Sequence, residues 1–297
     1  MTQAVAGNRF TTFRILALTA LAWASGCAPL NYTNPVQPSE VRCCVSSPLA
    51  ASDSLLVVSY NIRFAKDVPG ALEVLENTPA LAAPDIVLLQ EMDGPGATRV
   101  AHALGMNLVY YPAVRHPSSD RDFGNAVLSR WPVLRHKKVI LPHRGRFGKT
   151  QRIGVLAVLD VDGREVTVAS VHLATPIEVS PDNRRAQADA IADFATASKT
   201  NLVLIGGDMN DPGMAKHFEQ HGYACPTRGL GSTSVNGFAL DHVLVRRHTG
   251  SAVGDSLAAQ ADTQSPSGVV PGDGVASDHF PVWTRIALGS PQSMSAR

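Results

Sequence analysis

The sequence predicts an α+β protein: a four-layer α/β/β/α sandwich of two mixed, mainly antiparallel sheets packed face to face with helices outside. Three observations predict it. An apolar run, a helix-spaced segment and a second apolar run open the folded region as a strand, helix, strand unit. The middle of the chain then carries four strand-like runs joined only by turn residues, the pattern of hairpins and hence of an antiparallel stretch. A capped helical segment next leads into another buried strand, so helices cover the strands without alternating with each one, as a doubly wound sheet would require.

Taken in order, residues 1–27 have the layout of a signal peptide: basic Arg9 and Arg14, an apolar stretch from Ile15 to Trp23, and the small exit Ala24-Ser25-Gly26. Because Cys27 follows directly, the segment resembles a bacterial lipoprotein signal whose cysteine is acylated, although Ala24 stands where leucine is usual. Simple secretion is the other reading, and both place the protein outside the cytoplasm. Residues 28–52 hold four prolines and no periodic apolar pattern, so they are expected to form a poorly ordered tether. Residues 53–290 form the domain, and 291–297 are a tail.

Leu55 to Tyr60 and Asp85 to Gln90 read as buried strands ending at Asn61 and Glu91. Between them, Gly70 to Leu81 carries helical spacing and stops before Pro84. Pro112 to Asp122 reads as a loop leading into Gly124-Asn125, where glycine would let Asn125 approach the site, or simply close a hairpin turn. Strands follow at 124–129, 133–141, 153–159 and 165–171, with Arg130-Trp131-Pro132 and Asp160-Val161-Asp162-Gly163 as turns. Ser180-Pro181-Asp182 is a cap and first turn for a helix over 181–197, which leads into the strand Leu202 to Ile205. Strands at 239–245, enclosing Asp241, and at 280–286 close the domain after a Gly/Ser/Pro-rich stretch at 261–276. Roughly ten strands and four helices result.

The composition is that of a folded protein, with 44% hydrophobic and 17% charged residues. Removing residues 1–27 leaves 24 basic against 25 acidic residues, so bulk charge does not drive binding. An exported compartment permits a disulfide, and a bridge from Cys43 or Cys44 to Cys225 is compatible with the sequence but not decided by it. Zinc at the cysteines is disfavoured, because no histidine stands at ligand spacing from them. His102, His217, His221 and His248 have no motif context and read as surface residues.

Polar groups stand where apolar strands end: Asn61, Glu91, His172, Asp208 with Asn210, and Asp278 with His279, while Asp241 lies within a strand. Each alone has a structural reading, such as a turn at Asn61 or a helix cap at Asp208 and Asn210. Six such positions with the residue types of a hard-metal site do not arise together by chance. Their segments are Ser59-Tyr60-Asn61-Ile62-Arg63, Asp85 to Glu91, Gly124-Asn125-Ala126, Ser170-Val171-His172, Gly207-Asp208-Met209-Asn210, Asp241-His242-Val243 and Ser277-Asp278-His279-Phe280-Pro281.

In this order the segments resemble the endonuclease/exonuclease/phosphatase superfamily, the deoxyribonuclease I-like metal-dependent phosphoesterases. The resemblance implies Glu91 as principal metal ligand, Asn61 and Asp278 nearby, and Asp208 close enough to contribute. Mg2+ is the implied ion, with Mn2+ as substitute, because a few carboxylates and retained waters suit a hard cation. By the same resemblance His279 is the general base, Asp241 its partner, Asp208 the group that orients water, and Asn210 and His172 donors to phosphate oxygens.

The implied activity is phosphodiester hydrolysis on nucleic acid, or alternatively on a phospholipid head group as in sphingomyelinases. A phosphomonoesterase is a further alternative, and a non-catalytic binding module would require a missing residue that this chain retains. Arg135, Lys137, Lys138, Arg144, Arg146, Lys149 and Arg152 form a run without an acid, which reads as a phosphate-tracking patch or as a solvated hairpin. The polar insert at 261–276, with Val269, Val270 and Val275 its larger apolar residues, argues against bilayer insertion. Acylated Cys27 would supply the membrane contact of an otherwise monomeric protein.

Overall fold

The computed structural model describes residues 30–42, 53–116 and 119–288. The chain opens with β1 (Leu30–Asn31), β2 (Glu40–Arg42), β3 (Ser54–Asn61), α1 (Val68–Asn77) and β4 (Ile86–Met92). It continues through α2 (Gly94–Ala103), β5 (Asn107–His116), β6 (Arg121–Ser129), β7 (Val133–Ile140), β8 (Ile153–Val161) and β9 (Arg164–His172). Then come α3 (Pro181–Thr196), β10 (Leu202–Asp208), α4 (Met214–Gln220), β11 (Asp241–Arg247), α5 (Ala252–Thr263), β12 (Ser267–Val269) and β13 (Val282–Ala287).

Two mixed sheets result, as the sequence predicts. The eight-stranded sheet runs β1-β5-β6-β4-β3-β13-β12, with β2 also on β5, and the five-stranded sheet runs β11-β10-β9-β8-β7. Among the described residues, only β3 with β4 and β9 with β10 pair in parallel. Period-two alternation sorts the layers: Leu55, Val57, Ile86 and Leu88 meet Val155, Ala157, Val168 and Leu204 between the sheets. Their neighbours Leu56, Val58, Val87 and Leu89 face outward onto Leu72 and Leu75 of α1 and Val100 of α2. Leu156, Val158 and Ile205 likewise face Ile191 of α3 and Phe218 of α4. Each such burial stabilises by roughly 1.5–3 kcal/mol relative to exposure, which is why register is fixed throughout.

Helix starts follow local chemistry. Asp67, Asp93, Ser180 and Ser251 each accept from the backbone N–H three residues on, and proline occupies the first turn of α1, α2 and α3. No helix among the described residues is long and apolar enough to cross a membrane.

Four differences from the sequence reading stand out, beside the added helix α2 and the count of thirteen strands and five helices among the described residues. The expected loop at 112–122 is instead the end of β5 and the start of β6. Gly124 makes that pairing possible, because a Cβ there would lie 2.1 Å from the Tyr111 carbonyl oxygen. Residues 238–240 are not strand, and Asp241 begins β11 rather than lying within it. The stretch 261–276 contains the end of α5 and all of β12. The expected tether is docked over residues 30–42, where β1 and β2 pair with β5.

Cys43 and Cys44 lie outside the described residues, as do 1–29 and 289–297, which carry the leader and the tail. Cys225 is buried, has no disulfide partner among the described residues, and lies 3.7 Å from the Thr227 hydroxyl.

Candidate active site

Strand register brings the polar strand ends together at one end of both sheets. In the five-stranded sheet Asp208 stands opposite His172 on one side and Asp241 on the other. Gly207 permits this closeness, since a Cβ there would lie 1.8 Å from the Val171 carbonyl oxygen. In the facing sheet Asn61 pairs with Gln90, which leaves Glu91 one residue beyond. The β4 to β6 register breaks between Leu89 and Met92, and Glu91 sits within that bulge at φ +58°. A left-handed glutamate costs on the order of 1–3 kcal/mol, and the bulge turns its carboxylate into the site. Residues 63–65 are also left-handed, and the curl presents the Phe64 N–H to Glu91 Oε2 at 3.0 Å.

Asn61 links the two sheets. Its Nδ2 donates to Glu91 Oε1 at 3.3 Å and to Asp208 Oδ2 at 3.1 Å, while Ser277 Oγ holds its carbonyl at 2.6 Å. Asp208 Oδ1 accepts from the Asn210 N–H at 2.8 Å, and Asn210 Nδ2 reaches Asp208 Oδ2 at 3.3 Å. His279 Nδ1 lies 2.8 Å from Asp241 Oδ2, and its Nε2 is 3.7 Å from Asp208 Oδ2. His172 Nε2 is 3.3 Å from the same Asp208 oxygen and 4.0 Å from Glu91 Oε1.

The structure thus gathers Asn61, Glu91, His172, Asp208, Asn210, Asp241 and His279. Asp278 stands at the rim, where its Oδ2 lies 3.4 Å from Arg63 Nε. Asn125 turns between the sheets, donating to the Ile153 carbonyl at 3.0 Å, so its role is to tie the layers.

Electrostatics follow from burial and crowded carboxylates. Burial, then the neighbouring Asp241 charge, raises the proton affinity of Asp208. For His279 burial opposes the charge, but Asp241, Asp208 and Asp278 outweigh it and push its pKa up to about 10. Burial, followed by the Arg152 charge, keeps His172 well below the usual imidazole range and therefore neutral. Asp241 Oδ1 is buried with no hydrogen-bond partner among the described residues.

Thr233, Arg152 and Glu178 position the site without a motif signal. Thr233 Oγ1 donates to Asp241 Oδ2 at 2.7 Å and accepts from the Leu240 and Asp241 N–H groups. Arg152 places Nη1 3.0 Å from His172 Nε2 and Nη2 2.7 Å from Glu178 Oε2. The acid-free run that contains Arg152 is not one patch. Arg135 pairs with Glu165, and Lys138 is buried against the Tyr32 and Gln37 carbonyls.

The donor set fits a divalent cation. Two carboxylates, Glu91 and Asp208, converge on one amide, with Asp241 and Asp278 nearby and the Arg152 guanidinium engaged by Glu178. Oxygen donors with surplus negative charge suit a hard ion that retains waters, while the ligand-type atoms of Asp208, Asp241 and His279 lie within 4.8 Å of one another.

Comparison with known proteins agrees with this geometry. Residues 58–279 match the family model described as the Endonuclease/Exonuclease/phosphatase family. No curated protein matches the sequence. An endonuclease/exonuclease/phosphatase from Beutenbergia cavernae DSM 12333 is similar in fold, with TM-score 0.60 and 22% identity over 80% of this chain and 72% of that one. D. rerio TDP2 complexed with a single-strand DNA product gives TM-score 0.56 and 15% identity over 79% and 99%. Sphingomyelinase C from Streptomyces griseocarneus gives 0.54 and 18% over 79% and 100%.

Proposed function

This chain belongs to the endonuclease/exonuclease/phosphatase family, and from that premise we propose that it is a Mg2+-dependent phosphodiesterase that activates water with His279 and Asp241. The observation that supports this most is the His279 Nδ1 contact with Asp241 Oδ2 at 2.8 Å, which turns Nε2 toward Asp208. A carboxylate only accepts, so Nδ1 carries the proton and Nε2 is the nitrogen that takes one from water.

Asp241 then stabilises the imidazolium, and Thr233 keeps the carboxylate aimed. Asp208 accepts a hydrogen from the attacking water and orients it. Asn210 donates to the phosphate oxygens as negative charge grows, as would His172 through its ring N–H. Glu91 and Asp208, with Asn61 and Asp278, are the residues that would hold the ion. Bound there, Mg2+ would neutralise charge at the non-bridging and leaving oxygens and offset the carboxylates that hold a proton on His279.

Nucleic acid is the first substrate reading. A phospholipid head group is the second, and exposed apolar side chains favour it: Val235, Phe238 and Val275 stand in the loops flanking His279, with Phe238 55% exposed. The Val235 N–H binds the Asp278 carbonyl at 2.9 Å, which places this apolar rim beside the base. The leader-like residues 1–27 ending at Cys27 support an exported, membrane-anchored protein.

Mg2+-dependent turnover of single-stranded DNA, plasmid, RNA and sphingomyelin vesicles, with His279→Ala as control, tests the proposal. Cleavage of one class that the variant lacks supports it and names the substrate. Turnover that His279→Ala retains in full would overturn the assigned base.

A further inference from the structure

Helices α3 and α4 lie side by side in the layer outside the five-stranded sheet, packed through Ala188, Ala192, Ala215 and Phe218. On their solvent side His217 of α4 and His221, the residue that caps its C-terminus, stand four positions apart, so both imidazoles leave the same side. Opposite them on α3 stands Asp189. Its Oδ1 lies 2.7 Å from His217 Nε2 and 3.5 Å from His221 Nε2, and the three ligand-type atoms all fall within 4.8 Å of one another.

Hydrogen bonding prepares these nitrogens. His221 Nδ1 lies 2.9 Å from the His217 carbonyl oxygen, which can only accept, so Nδ1 holds the proton and Nε2 presents a lone pair in the neutral ring. A ligating histidine commonly has this arrangement, with its second nitrogen donating to a backbone carbonyl. His217 Nε2 donates its proton to Asp189 Oδ1 at 2.7 Å, because a carboxylate only accepts, and a cation at this point would replace that proton.

We propose that Asp189, His217 and His221 form a transition-metal site, for Zn2+ first, that clasps α4 to α3 and keeps one coordination position open to solvent.

The chemistry discriminates against the ion expected at the active site. Two imidazoles and one carboxylate suit Zn2+, whereas Mg2+ prefers an all-oxygen shell. Tetrahedral coordination at 2.0–2.2 Å sets ligand atoms about 3.3 Å apart. The His221 to Asp189 spacing already meets that value. The shorter His217 to Asp189 contact opens by a small rotation of Asp189, whose side chain is 43% exposed. His221 is 46% exposed, so the remaining position faces water. The sequence carries only half the signal, two histidines four apart, because the third ligand comes from another helix.

The test is a Co2+ titration of the purified chain in excess Mg2+, read by visible d–d absorption and followed by Zn2+ displacement. Wild type should bind one Co2+ with an intense low-symmetry band that Zn2+ abolishes. His221→Ala and the isosteric Asp189→Asn, each with unchanged circular dichroism, should weaken binding by at least the roughly 10–100-fold that losing a supporting partner costs. No band, or a band that both variants retain at wild-type affinity, would overturn the site and leave the trio a surface ion pair only.

Discussion

His279 Nδ1 meets Asp241 Oδ2 at 2.8 Å, and Thr233 Oγ1 approaches the same oxygen at 2.7 Å. The carboxylate is completely buried, so its charge acts on the imidazole with little screening. Asp241→Asn keeps the shape and removes that charge. It should lower kcat by roughly 10²–10⁴-fold, as loss of a positioned base does, while circular dichroism and KM stay near wild type. Equal kcat for wild type and Asp241→Asn would show that the pair is structural.

Chelation bears on Glu91 separately from the base. Its carboxylate receives the Phe64 N–H and the Asn61 amide, and burial raises its proton affinity against the opposing Arg152 charge, so it is held in place for a cation that would offset the cost of burial. EDTA should abolish turnover and added Mg2+ should restore it. Glu91→Gln should instead raise the Mg2+ concentration needed for half-maximal rate by about 10-fold or more, the scale of loss for a supporting partner. Full activity in excess EDTA would contradict the metal-assisted mechanism.

What was legible in the sequence depended on whether partners were local. Strand ends such as Asn61, Glu91 and Asp208 announce themselves, because an apolar alternation stops at a polar group. Asp241 was misplaced to mid-strand because Phe238-Ala239-Leu240 is apolar. In the fold, Thr233 takes the Leu240 and Asp241 N–H groups, so residues 238–240 never join the ladder. The basic run suggested a patch because its partners are remote: Glu165 for Arg135, Glu178 for Arg152, and the Tyr32 and Gln37 carbonyls for Lys138. Pro112 disguised β5, which tolerates it at an irregularity where the pairing with β6 shifts register between Pro112 and Val114.

Lys138 explains why the expected tether is docked. Its Nζ donates to the Tyr32 and Gln37 carbonyls at 2.8 and 3.2 Å, and burial lowers its pKa to about 8. Lys138→Met keeps the apolar stem and removes the donors. Amide exchange at Tyr32, whose N–H is bound to the Ala113 carbonyl, should accelerate by roughly 10-fold, the worth of a hydrogen bond to a charged group. Unchanged exchange there would mean that the strand pairings of β1 and β2 hold the segment alone.

Glu178 should make stability fall in acid over a defined window. Burial alone would raise its pKa, but the Arg152 charge, the Thr175 N–H and the Thr150 hydroxyl outweigh it and hold the value at about 2, against 4.5 when unperturbed. A depressed carboxylate contributes stability in full above its unfolded pKa and loses it as pH falls through the folded one. The contribution, at most about 3 kcal/mol, should therefore be complete above pH 4.5 and fade toward pH 2. Glu178→Gln leaves the Arg152 guanidinium buried beside His172 without its counter-charge, so it should be clearly less stable than wild type at pH 7. The gap measured by urea unfolding should narrow steadily as the pH is lowered through that window. A gap that stays constant from pH 7 to pH 3 would assign the loss to packing rather than to the ion pair.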